Sequence, residues 1–157
     1  MNFHFTEENK RKFDEILTRY PRKRAAMLPA LWLAQKQHGW ISPEVMEHIA
    51  TLLELTPAKV YEVVTFYTMF NLHPIGRYHF QVCRTLSCQL CGSESITEHL
   101  SQRLGVKLGE TSKDGRYTLS EVECLGSCGT APMLQLNDDY HENLTPEILD
   151  QLIESLK

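Results

Sequence analysis

All five cysteines of this 157-residue chain fall between positions 83 and 128, and the first 82 residues hold none. They form two groups. Cys83, Cys88 and Cys91 follow the alternating run Tyr78-His79-Phe80-Gln81-Val82, whereas Cys124 and Cys128 follow a second β-type run from Tyr117 to Val122. Both runs read as strands, and loops at strand ends can meet at one edge of a sheet. Each loop then brings at least two thiols to one place. An odd cysteine count, behind an N-terminus with neither the basic nor the apolar region of a secretory leader, argues against a disulfide framework. Metal, cluster or dithiol chemistry is the better expectation.

A cut at Pro74 separates two compositions. Residues 1–74 hold nine Lys and Arg, eight Asp and Glu, and one glycine. Residues 75–157 hold seven, twelve and seven, so the two halves carry formal charges of +1 and −5. The expected class is α+β, a helical bundle over 1–74 followed by a small α/β unit over 75–157. In the first half, Thr6 opens a helix with Phe13, Ile16, Leu17 and Tyr20 on one face, ended by Pro21. A second runs from about Met27 to Gln37 with Leu28, Leu31, Trp32 and Gln35 on a stripe and Gly39 as its stop; Pro29 marks its first turn or a kink. Ser42-Pro43 and Thr56-Pro57 each read as a capping hydroxyl followed by proline, which has no amide to leave unpaired. Those helices bury Val45, Met46, Ile49, Leu52 and Leu53, then Val60, Val63, Val64 and Tyr67. In the second half Ser93 caps a helix carrying Ile96, Leu100 and Leu104, and Met133 to Leu136 is a third strand. Asp138-Asp139 reads as a turn. Thr145-Pro146 opens a last helix with Ile148, Leu149, Leu152, Ile153 and Leu156 inward.

Other functional classes are disfavoured. At 42% hydrophobic and 23% charged the chain reads as a soluble globular protein, and no apolar run approaches the ~20 residues of a membrane span. A net charge of −4 offers no footprint for nucleic acid. No glycine-rich nucleotide loop occurs, and the seven histidines are scattered without metal spacing. Arg22-Lys23-Arg24 reads as a solvated run, and Trp32 and Trp40 as core or bundle-closing aromatics.

The cysteine spacings favour an iron–sulfur cluster over zinc. Zinc knuckles prefer pairs with two residues between them, and Cys88/Cys91 is the one such pair. Thr85, Ser87, Gly92, Gly126, Ser127, Gly129 and Thr130 offer hydroxyls and unhindered amides to donate to sulfur, and no carboxylate lies between the paired cysteines. Spacing leaves the ligand set open. Cys83, Cys88 and Cys91 with one distant cysteine fit a plant-type ferredoxin pattern, and Cys83/Cys88 with Cys124/Cys128 fit two pairs. A Cys88/Cys91 dithiol of thioredoxin type is a third reading, and a zinc-stapled interaction module a fourth.

The run Val60 to Phe70, Gly39-Trp40, the Cys83-x₄-Cys88 spacing and Cys124-Leu125-Gly126-Ser127-Cys128-Gly129-Thr130-Ala131-Pro132 together carry a family resemblance. Over nearly its whole length the sequence closely resembles the family of the subunit designated E in bacterial NADH-quinone oxidoreductase, respiratory complex I, among the thioredoxin-like [2Fe–2S] ferredoxins. The resemblance implies an N-terminal helical bundle that docks a partner, joined to a thioredoxin-like domain with one [2Fe–2S] cluster on Cys83, Cys88, Cys124 and Cys128. Cys91 matches no ligand of the family. FMN and NADH are implied on the flavoprotein subunit of the same complex, designated F, with the large iron–sulfur subunit, designated G, as a further neighbour. The implied location is cytoplasmic, peripheral to the inner membrane and without insertion. Related subunits serve NAD-linked hydrogenases and formate dehydrogenases.

Overall fold

A computed structural model describes residues 3–156, and the chain divides into two compact units, Met1–Pro74 and Ile75–Lys157. In the first unit the Thr6 hydroxyl accepts the Asn9 amide (3.2 Å) and starts α1 (Glu7–Thr18). A 3₁₀ turn (Lys23–Ala26) leads directly into α2 (Met27–His38), so Pro29 lies in the first helical turn, where its missing N–H breaks no bond. Gly39, at φ +88°, ends that helix. Ser42 caps α3 (Pro43–Leu53) through the Val45 amide (3.3 Å), whereas Thr56 stands before α4 (Pro57–Phe66) without a side-chain capping bond.

The apolar spacings converge as sequence predicts, with shifts at the helix margins. Phe13, Leu31, Ile41, Val45, Ile49, Leu53, Val60 and Val64 are essentially excluded from water, each burial contributing about 1.5–3 kcal/mol. On α2 the buried stripe is Met27, Ala30, Leu31, Ala34 and Gln35, and Leu28 and Trp32 lie half-buried beside it. Tyr20 and Tyr67, expected inward, are exposed because α1 and α4 end before them and the chain leaves the helical face. The buried Gln35 amide is satisfied by backbone: its Nε2 donates to the Met69 carbonyl (2.9 Å) and its Oε1 accepts the Asn71 amide (2.7 Å). One polar core side chain thereby fixes the segment that follows α4.

The second unit is a four-stranded sheet in the order β2-β1-β3-β4 with helices packed against it. β1 (Tyr78–Cys83) runs parallel to β2 (Tyr117–Val122), in register from Tyr78 opposite Tyr117 to Cys83 opposite Val122. The crossover between them carries a short α5 (Leu86–Leu90) and α6 (Ser93–Leu104). β3 (Leu134–Leu136) joins β1 antiparallel, and β4 (Asp139–His141) joins β3. Ile96, Leu100 and Leu104 of α6 and Leu149 of α7 (Pro146–Ser155) close a core over Phe80, Val82, Leu119 and Leu134. Three expectations are corrected. Gly92, not Ser93, occupies the cap of α6; Asp139 opens β4 rather than completing a turn; and Ile148 is exposed. The strand start needs a glycine at position 76: a Cβ there would lie 2.8 Å from the Tyr117 backbone.

His79 is buried in β1, its Nε2 2.7 Å from the Ser120 hydroxyl of β2. Burial pulls its pKa from 6.5 down to about 4. The fold therefore favours the neutral ring, so this stabilisation is complete above about pH 6.5 and is lost as pH falls from there towards about 4. Between about pH 7 and about pH 4.5 the wild-type chain should lose roughly 2–3 kcal/mol more stability than His79→Gln, measured by denaturant unfolding.

Candidate metal centre

Parallel strands end at the same edge of a sheet, so the loops leaving β1 and β2 emerge side by side. Cys83 closes β1, its amide bonded to the Met133 carbonyl (3.2 Å), and the Arg84 amide extends the ladder to the Val122 carbonyl (3.0 Å). Across the two stems the Arg84 guanidinium grips the Glu123 carboxylate at 2.7 and 3.1 Å. After Thr85, the five residues of α5 turn Cys88 inward against Cys83 and Met133 and leave Leu86 and Leu90 exposed. The second loop turns at Gly126, where φ is +85°, a conformation that costs other residues a steric penalty. That turn aims the Gly126 amide at the Cys124 sulfur, 3.4 Å away. A 3₁₀ turn (Cys128–Thr130) then brings the Cys128 sulfur to 3.7 Å from that of Cys124.

The thiols thus stand as two pairs with different surroundings. Cys83 and Cys88 are buried; Cys124 and Cys128 are exposed. Burial raises the Cys83 thiol, but the Thr85 hydroxyl and amide, the Leu125 amide and the Cys88 thiol outweigh it, and its pKa falls below the ordinary value. Cys88 moves up to about 11, by burial first and then by donating to Cys83. Cys124 is lowered, chiefly by the Gly126 amide and then by the Cys128 thiol and the Thr85 hydroxyl. Cys128 is raised, chiefly because it donates to Cys124 and faces its charge. Each pair is polarised, one sulfur the better anion and the other the donor. Thr85, 3.2 Å from the Cys83 sulfur, reaches both pairs.

Cys91 stands at the end of α5, exposed, its amide bonded to the Ser87 carbonyl (3.1 Å). Among the described residues no three His, Cys, Asp or Glu side chains close around a single-ion position. The donor set fits a binuclear group: soft sulfur in two pairs, backed by amides of Gly126, Leu125 and Met133. Thr85 meets sulfur as expected, but the other hydroxyls behave differently from the sequence expectation. Ser87 donates to the Cys128 carbonyl (2.9 Å), and Ser127 and Thr130 are bonded to the Glu142 carboxylate. Sequence reasoning missed Glu142 and the two amides of Leu125 and Met133. Backbone donors leave no residue signature, and Glu142 follows a strand too short to show a period.

The family model for thioredoxin-like [2Fe–2S] ferredoxins matches residues 13–157. The chain belongs to this family. Among relatives of this ferredoxin, the NADH-quinone oxidoreductase subunit designated E 2 of Rhizobium meliloti (strain 1021) is 49% identical over 146 residues, 93% of this chain and 87% of the relative. The NADH-quinone oxidoreductase subunit designated E of Rickettsia felis (strain ATCC VR-1525 / URRWXCal2) is 47% identical over 156 residues, 98% of this chain and 93% of the relative. A chain of an NAD⁺-reducing [NiFe]-hydrogenase in the air-oxidized state shares the fold, with TM-score 0.73 and 23% identity over 82% of this chain and 22% of that one. The resemblance of the motifs to this ferredoxin family is therefore upheld along the chain.

Exposure and thiolate character together set cysteine reactivity. In the metal-free protein, iodoacetamide should modify Cys124 at least about ten-fold faster than the buried Cys88, read by peptide mass spectrometry at short times.

Proposed function

We propose that this ferredoxin is an electron-transfer subunit of NADH-quinone oxidoreductase that holds one [2Fe–2S] cluster on Cys83, Cys88, Cys124 and Cys128. The observation that carries the reading is the meeting of two thiol pairs at one sheet edge, in a chain 46–49% identical to subunits of that enzyme over almost their full length. When bound, such a cluster exchanges single electrons. The chain's own groups supply position and charge balance. The Gly126 amide and Thr85 hydroxyl point at sulfurs that carry negative charge, and Met133 covers the inner pair and keeps water from it. The exposed outer pair is the side from which a redox partner can approach.

The partner in this reading is the flavoprotein subunit of that complex, bearing FMN and NADH, with the large iron–sulfur subunit nearby and the assembly peripheral to the membrane. Among the described residues no helix is long and apolar enough to cross a membrane. The helical unit supports a docking role because its Val60–Phe70 stretch leaves Tyr61 55% and Phe66 75% exposed, with Tyr67 and Met69 exposed beside them. Apolar surface of this kind on one segment is characteristic of a covered face.

Metal content, cysteine variants and partner capture test the reading. Chain purified anaerobically should be red-brown, with two irons and two acid-labile sulfides, and Cys91→Ser should keep that spectrum, whereas serine at Cys83, Cys88, Cys124 or Cys128 should abolish or alter it. Serine replaces a soft sulfur by a hard, poorly ionised oxygen of similar size. Stoichiometric zinc without iron, or a colourless Cys91→Ser protein, would refute the assignment. The isolated chain should also bleach with dithionite yet not oxidise NADH. Phe66→Asp should weaken its capture by the flavoprotein partner by about ten-fold or more, measured by titration calorimetry.

A further inference from the structure

The Cys124–Cys128 loop is exposed and irregular, and its outer side is held by the return of the β3–β4 hairpin. Tyr140 donates its hydroxyl to the Leu125 carbonyl (2.9 Å). The Asn143 amide bonds the Thr130 carbonyl (2.8 Å) and the Leu144 amide the Pro132 carbonyl (3.0 Å). Between them the Glu142 carboxylate accepts from the hydroxyls of both Ser127 and Thr130, the latter at 2.6 Å, and those hydroxyls lie 2.9 Å apart. The grip spans both sides of Cys128.

We propose that Glu142 is a positioning residue that latches the Cys124–Cys128 loop, through Ser127 and Thr130, in the conformation that presents its two thiols. The proposal rests on the ligand assignment above. A carboxylate is an acceptor only, so both hydroxyls donate to Glu142; the Thr130 hydroxyl also lies 3.1 Å from the Ser127 carbonyl. The loop is therefore closed by protein contacts of its own, and the two O–H dipoles that flank Cys128 in sequence are held by a carboxylate. Thr85, with no carboxylate partner in its contact to Cys83, shows the opposite orientation open to such a hydroxyl. Releasing Ser127 and Thr130 both loosens the loop and frees donors that stabilise the reduced, more negative cluster.

The experiment compares the full-length chain with Glu142→Ala, Glu142→Gln, the pair Ser127→Ala/Thr130→Val, and the combined triple variant. Cluster loss to excess ferrous chelator is followed by visible bleaching, and the midpoint potential by dye-mediated titration. Loss of two charge-assisted hydrogen bonds should make Glu142→Ala lose its cluster about ten-fold faster, and Glu142→Gln, which keeps an acceptor oxygen, should stay within about three-fold of wild type. In the Ser127→Ala/Thr130→Val background, Glu142→Ala should add less than about two-fold, and its upward shift of potential should shrink. An unchanged loss rate in Glu142→Ala, or an equal effect in both backgrounds, would overturn the latch. Amide hydrogen exchange of residues 124–130 in the metal-free chain gives a second readout: it should quicken in Glu142→Ala while the β1 amides stay protected, and unchanged exchange at 124–130 would count against the latch. A wild-type chain that binds no cluster would defeat the ligand assignment, and exchange would still decide the latch.

Discussion

The parallel pairing of Tyr78–Cys83 with Tyr117–Val122 is the constraint on which the rest of the second unit depends. Parallel strands cannot be joined by a tight hairpin; they need a crossover, and here it is α5 and α6. The same pairing sends the chain out of both strands at one edge. An antiparallel pair would have carried the two cysteine loops to opposite ends of the sheet. Core and site therefore share one cause: Ile96, Leu100 and Leu104 seat α6 on Phe80, Val82 and Leu119, and that packing keeps Cys83 and the Cys124 loop adjacent.

Around the thiols, the division between a dry and a wet side matters more than any single donor. Cys83 and Cys88 lie against Met133, and burial is the largest influence on both. Cys124 and Cys128 face solvent, and for Cys124 the governing influence is one amide, that of Gly126. A cluster held by these four thiols would have the buried pair on its dry side and the exposed pair on its wet side. Arg84 brings little positive charge to the sulfurs because Glu123 already engages it; that exposed pair ties the two stems, though an exposed ion pair adds little stability. Amide dipoles, those of Gly126 and Leu125 in the loop and of Met133 just before β3, stabilise the negative charge instead.

The helical unit shows how one buried polar group can decide what a surface presents. Gln35 spends both ends of its amide on the backbone of Met69 and Asn71. The chain that follows α4 is thereby held in place while Phe66, Tyr67 and Met69 stay outside the core. An apolar surface held in a fixed conformation loses little entropy when a partner covers it, which is the property an interface requires.

Helical periods and caps were legible because they are local. Thr6, Ser42 and Thr145 each accept an amide three residues on, and the apolar spacing placed Phe13, Val45, Ile49, Val60, Ile96 and Leu149 in the cores where they are found. The α5 helix of five residues escaped detection because it is too short to show a period, and β4 because its first residue, Asp139, reads as part of a turn. By itself the sequence determined that thiols would gather from two loops after two strands, because residue order and alternation belong to the chain. Only the tertiary structure decided how those thiols are grouped and braced. Helix α5 ends at Leu90, so Cys88 turns inward while Cys91 leaves the helical face, and hairpin pairing carries Glu142 back to Ser127 and Thr130. Such contacts join residues distant along the chain, and the free energy that selects them comes from packing and strand pairing rather than from local preference.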